Sequence, residues 1–158
     1  MNVRHDMVTV FVARPDGSGK SHEFLQLRRA GGDYMGGTWQ TVRGVAEAGE
    51  TAPQAARREL REEAGLVPRE FYGLSSIDSF YTAKYETIWH CAVFFALVER
   101  EAKIVLNDEH EDHRWVSKDR VSKSFMWQRE RELIDEIGRE ILGSGLSRSH
   151  LIIPDRTD

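Results

Sequence analysis

The sequence predicts an α/β fold in which a mixed β-sheet lies between helices, an α/β/α sandwich. Three observations support it. β-Branched and apolar runs of strand length are spread along most of the chain, one alanine-rich helical segment with end signals interrupts them, and a second amphipathic helix follows the last run.

Taken in order, MVTVFVA (7–13) is β-branched and apolar and reads as a strand. RPDGSGK (14–20) is turn chemistry, and HEFLQLRR (22–29) returns as a second strand. Glycine-rich AGGDYMGG (30–37) is a loop, and TWQTVRG (38–44) a third, short strand. Thr51 can cap a helix, Pro53 suits its first turn and Gly65 its exit. Between them Ala52, Ala56, Leu60 and Ala64 recur every fourth residue, an apolar stripe whose small side chains permit close approach to a sheet. FYGLSSIDSFYT (71–82) and TIWHCAVFFALVE (87–99) are two longer strands. The second is apolar almost throughout and is expected at the centre, covered on both faces. HRWVS (113–117) is a short strand. SFMWQRERELIDEIGREIL (124–142) is a late helix with Leu133, Ile134, Ile137, Ile141 and Leu142 at helical spacing, ending near Gly143; the tail 144–158 has no clear pattern.

The chain has 158 residues, 40% apolar and 30% charged, which suits one domain, 1–158, with a real core. A net charge of −4 supplies no basic footprint for nucleic acid, so that class of partner is not expected. The N-terminus lacks a signal h-region, and no run approaches the ~18 apolar residues of a membrane span. The single cysteine, Cys91, lies in an apolar run and reads as a small buried hydrophobe, in keeping with a reducing cytoplasm.

GVAEAGETAPQAARRELREEAGL (44–66) is the most informative stretch. On a helix Glu59, Glu62 and Glu63 share one face, one turn apart. Two bare carboxylates ~6 Å apart at an effective dielectric of ~20 repel by about 3 kcal/mol. Arg57, Arg58 and Arg61 offset part of that, so a solvated Glu/Arg face is one reading. The other is a hard cation, Mg²⁺ or Mn²⁺, held by an oxygen-only cluster, with the preceding Gly44–Gly49 loop bringing backbone carbonyls to the same place.

The spacing decides between them. Gly44, five residues, Glu50, seven residues, Arg58-Glu59-Leu60, one residue, Glu62-Glu63, one residue, Gly65-Leu66 resembles the Nudix box at every specified position. The resemblance implies a Nudix-type α/β/α sandwich over nearly the whole chain and a Mg²⁺-dependent hydrolase (Mn²⁺ possible). Many members carry Pro-Gly-Gly where this chain has Val42-Arg43-Gly44. That version, the Trp39-Gln40 pair and KSFMWQRERELI (123–134) look like dihydroneopterin triphosphate pyrophosphatases, also described as dATP pyrophosphohydrolases. The implied reaction is hydrolysis of a pyrophosphate bond in a nucleoside triphosphate-like substrate, giving monophosphate and pyrophosphate. ADP-ribose, a dinucleoside polyphosphate or an oxidised nucleotide are alternative substrates; a nucleotide-sensing module and trimming of 5′-triphosphorylated RNA are alternative functions.

By the same resemblance Glu59, Glu62 and Glu63 hold metal, with the Gly44 carbonyl as a further ligand, and Arg58 orients the glutamates through Glu50. Glu50 itself has a structural or a metal role, and Glu47 is loop surface. In the second acidic cluster, NDEHEDHRW (107–115), Glu109 is preferred over Glu111 as an additional ligand or general base. His110 and His113 lack the Cys/His spacing of a soft-metal centre. For substrate, Arg28 is preferred over Arg29 to meet phosphate. Trp39 and Gln40 are candidates to line a base or pterin pocket, with Trp39 equally suited to the core. Tyr81 and Trp127 read as core or rim, and Lys123 is a remote phosphate candidate. The partner is a small nucleoside or pterin polyphosphate; monomer and homodimer both stay open.

Overall fold

The computed structural model describes residues 1–32 and 34–155, so Asp33 of the glycine-rich loop and the last three residues of the tail lie outside it. In chain order the elements are β1 (Asn2–Arg4), β2 (Met7–Pro15), β3 (His22–Arg29), β4 (Trp39–Gln40), β5 (Val42–Val45), α1 (Ala52–Ala64), β6 (Glu70–Thr82), β7 (Thr87–Leu97), β8 (His110–Ser117), α2 (Val121–Ser124), α3 (Gln128–Ile137) and α4 (Arg148–Leu151). Short 3₁₀ turns cover Ala83–Tyr85 and Lys118–Arg120, and a wider π turn, Gly138–Leu142, continues α3.

Among the described residues the strands form one mixed sheet. β7 is central, as its unbroken apolar run predicts. β1 and β2 both pair parallel with it, β1 at Thr87–Trp89 and β2 at Ala92–Leu97, while β6 pairs antiparallel. β3 pairs antiparallel with β2 and with β8. The predicted strand 38–44 is two strands. Its first half bonds β3 and its second half bonds β2, with the change of partner at Thr41, whose hydroxyl donates to the Val10 carbonyl at 2.6 Å.

Alternation along β2 divides the core. Val8, Val10 and Val12 join Leu27, Val42 and Phe94 beneath α1, which contributes Ala55, Ala56, Leu60 and Ala64. Phe11 and Ala13 join Phe24, Val93 and Phe95 beneath α3, which contributes Leu133, Ile134 and Ile137. A helix therefore covers each face, the expected α/β/α arrangement. α1 forms for local reasons. Thr51 and Gln54 make a reciprocal capping box, and Gly65 ends the helix at φ 68°, its N–H bonded to the Arg61 carbonyl at 2.9 Å. Fully buried Leu60 anchors it, and trimming such a side chain to Ala costs about 2–5 kcal/mol.

The late helix is shorter than its sequence pattern. Residues 125–127 run extended between α2 and α3, because Phe125 is buried in the α3-side core and draws the chain inward. β1 and α4 were not foreseen; just beyond α4, Ile152 bridges to Tyr72 of β6.

Candidate active site

α1 presents its apolar stripe to the sheet and, from the same inward flank, buries two of its carboxylates: Glu59 is 8% exposed and Glu63 3%. Glu62 is half exposed. Burial comes from the strand beneath. β5 passes so close that a β-carbon on Gly44 would overlap the Glu59 carboxyl group, so any other residue there must displace that side chain. One residue earlier, the Arg43 backbone N–H donates to Glu63 Oε2 at 3.1 Å.

Burial holds the Glu63 carboxyl well above its ordinary range. The charges of Glu59 and Glu109 push it further, and the Arg43 N–H and Arg29 pull it back. Glu59 is also raised, chiefly by burial; Arg58 opposes the rise, while Glu62 and Glu109 add to it. From the β8 side Glu109 and His110 complete the cluster. Ligand atoms of Glu63, Glu109 and His110 all lie within 4.8 Å of one another. Two buried carboxylates, Glu59 and Glu63, raised in part by the acidic groups beside them, with mostly oxygen donors around, are the donor set a hard divalent cation satisfies. The residues fit such an ion.

Arg58 is the hub of the acidic helix. Its Nε and Nη2 bond Glu50 at 2.7 and 3.0 Å, Nη1 bonds Glu59 at 2.8 Å and Glu62 at 3.2 Å, and Nη2 also bonds the Val45 carbonyl at 3.0 Å. Glu50 is thus consumed by Arg58 and by the Glu47 N–H, which is a structural role. Glu47 stands exposed, its carboxylate 3.9 Å from Arg58.

A cavity of about 450 Å³ adjoins this cluster. Its walls are largely aromatic, with Phe80, Trp89 and the half-exposed Tyr81, Tyr85 and Trp127. Buried Asp78 and Glu130, together with Arg43, supply its polar groups, and Arg29, Lys84 and Arg129 are cations on its lining. Arg43 joins the two regions. Its main chain holds Glu63, and its guanidinium bonds Asp78 at 3.0 Å and lies 5.0 Å above the Phe80 ring. Burial raises the Asp78 carboxyl, with Arg43 and Arg129 opposing.

Of the predicted substrate residues, Gln40 lines this cavity. Trp39 does not; its ring stacks against the Arg114 guanidinium at 4.2 Å. Arg28, cross-strand partner of Trp39, turns to Glu111 at 3.3 Å, and the arginine in the cavity wall is its neighbour Arg29. Adjacent strand residues point to opposite faces, and a register shift between Arg28 and Arg29 fixes which one turns in. The same placement separates Glu111, held by Arg28, from Glu109, which joins the acidic cluster. Lys123 is exposed on α2, outside the cavity lining. Asp78, Glu130 and Lys84 were not foreseen, and His110, set aside for want of a Cys/His spacing, stands in the acidic cluster. One signal was available: Glu130 stands at positions i, i+3, i+4, i+7 with Leu133, Ile134 and Ile137, a charge on the buried stripe of α3.

The NUDIX domain family model matches residues 3–137. The 8-oxo-dGTP diphosphatase of Escherichia coli is 31% identical over 98 residues, 62% of this chain and 72% of that protein; NudI nucleoside triphosphatases of Salmonella are spanned over 66% of their length. Among solved structures, the C. elegans Ap4A hydrolase binary complex superposes with a TM-score of 0.74 at 18% identity, covering 90% of this chain and 99% of that one. The E. coli dihydroneopterin triphosphate pyrophosphohydrolase superposes at 0.68 with 23% identity, covering 85% and 92%.

Proposed function

We propose that this chain, which belongs to the NUDIX domain family and is a nucleotide pyrophosphohydrolase, cleaves a nucleoside triphosphate-like substrate to a monophosphate and pyrophosphate. A single domain spanning 1–158, in the cytoplasm, is part of this reading. The observation that carries it is Arg43, which ties an acidic cluster suited to a cation-bridged polyphosphate to an aromatic cavity with room for a ring system.

Glu59, Glu62, Glu63 and Glu109, with the Gly44 carbonyl and His110, would hold divalent cations, Mg²⁺ or Mn²⁺. When bound, these reverse the local field, acidify a water and stabilise the leaving phosphate. The protein's own groups do the rest. Arg58 and Glu50 hold the helix carboxylates in one orientation. Glu109, exposed on its loop beside Glu63, is placed to take the proton of the attacking water. Arg29 lines the cavity close enough for its charge to act on Glu63, so it faces a phosphate lying between the two regions. Phe80, Trp89 and Trp127 exclude water from the ring.

Support for a triphosphate with one ring comes from the cavity's aromatic lining and from the activities named for the 8-oxo-dGTP diphosphatase and dihydroneopterin triphosphate pyrophosphohydrolase it resembles. A panel with Mg²⁺ and Mn²⁺ tests it: pyrophosphate release from dihydroneopterin triphosphate, dGTP and dATP against AMP release from ADP-ribose and Ap4A. Hundredfold faster turnover of ADP-ribose or Ap4A would overturn the substrate class.

A further inference from the structure

We infer that Glu130 selects the ring: its carboxylate accepts two parallel N–H donors, from a ring lactam and the exocyclic amine beside it, the 2-amino-lactam edge that guanine and pterin rings share. The inference rests on reading the aromatic cavity as the ring site.

Glu130 is 1% exposed, yet it lines the cavity. Neither carboxylate oxygen has a partner that meets hydrogen-bond geometry among the described residues, although the Trp127 backbone lies near enough to favour the charged form. Two cations act on it: Arg43, 3.8 Å away, is committed to Asp78 at 3.0 Å and to the face of Phe80, and Arg131 to the Phe125 and Met126 carbonyls. Arg43 and Asp78 offset each other, which leaves the two Glu130 oxygens as acceptors in a buried part of a wall that also carries aromatic rings and, farther round, Arg29, Lys84 and Arg129. A buried acceptor without a donor is costly, and it is retained where something supplies the donor.

The missing partner can be described. A carboxylate is matched by two donors side by side. Adenine and cytosine offer one donor next to one acceptor, and uracil flanks its single N–H with two carbonyls. A 2-amino-lactam offers ring N–H and amine N–H together, and the surrounding aromatic side chains stack on its faces. Sites that hydrogen-bond a donor discriminate strongly against analogues lacking it, because the buried group is left unpaired.

The experiment compares dGTP, dITP (the same lactam without the amine) and dATP, using the full chain and E130Q, whose isosteric amide presents one donor to a two-donor edge. Wild-type kcat/KM is expected to favour dGTP over dITP and dATP by at least ~100-fold. E130Q should lower the dGTP value by a similar factor, mainly through KM, and change dITP and dATP less than about threefold. A variant that keeps the dGTP:dITP ratio, or a wild type that prefers dATP, overturns the inference. Metal-free binding of guanosine, neopterin and adenosine, followed by tryptophan fluorescence, separates it from the hydrolytic reading. If no nucleotide is cleaved but guanosine or neopterin binds and E130Q abolishes binding, the reaction is wrong and the ring assignment stands. Equal binding of adenosine sinks it. Which of the two rings binds tighter identifies the natural source.

Discussion

Gly44 and Glu59 are in direct apposition: the glutamate carboxyl group occupies the space a side chain at 44 would need. The bare position is what leaves room for the Glu59 carboxyl group in its buried place beside β5. G44A should therefore displace Glu59, at about 1–3 kcal/mol in stability for the overpacking, and depress metal-dependent turnover far more than the loss of fold explains. Thermal unfolding beside pyrophosphate release measures both. Wild-type turnover at full stability would show that Glu59 has room to move.

Arg58 makes a fork of bonds that a lysine cannot copy. R58K is expected to lose about 10–100-fold in activity, the range for residues that orient metal ligands, while E62Q and E63Q lose more than ~100-fold. Steady-state rates over a Mg²⁺ titration check this. R58K should recover partly at high Mg²⁺, and the glutamine variants should not.

The raised Glu63 carboxyl predicts the pH dependence of metal uptake. Only the ionised form binds a cation, so protons compete at a higher pH than for an ordinary carboxylate of about 4.3. Affinity for Mn²⁺ by calorimetry should weaken steadily from pH 8 to pH 5, and a chelator should lower the Tm of the wild type but not of E63Q. Uptake that does not change over this interval would contradict the assignment.

Burial pushes the Glu130 carboxyl up to about 7 from an ordinary 4.5; Asp78 adds to the rise, while Arg43, Arg131 and the Trp127 backbone oppose it. The folded protein thus keeps a proton that the unfolded chain gives up above pH 4.5. Glu130 costs nothing below that value; its cost grows as pH rises toward 7 and levels beyond, at about 3 kcal/mol for ~1.4 kcal/mol per unit. E130Q should be more stable than the wild type at pH 8 by about 1–3 kcal/mol, with the gap closing by pH 4.5. Tm against pH for the two proteins checks it; a gap that widens on acidification would reverse the sign.

What could be read from the chain was what local chemistry decides. Thr51, Gln54 and Gly65 define α1 within their own neighbourhoods, and the box spacing marks the acidic cluster. The change of strand partner at Thr41 was not legible, because it depends on β2 and β3 both being present. Nor was the choice of Arg29 over Arg28, which turns on a one-residue register shift. His110 lacked any spacing signal, since its cluster partner Glu63 is far away in sequence. Glu130 was visible as a misplaced charge on an apolar stripe, but the cavity that gives the charge a purpose forms only when α3 meets β6.

Arg43 connects to the acid cluster through its peptide N–H and to the ring cavity through its guanidinium. Every amino acid but proline brings the first of these; few bring the second. A substitution at 43 is therefore felt on the cavity side, where buried Asp78 loses its ion pair, while the main-chain grip on Glu63 outlasts the exchange.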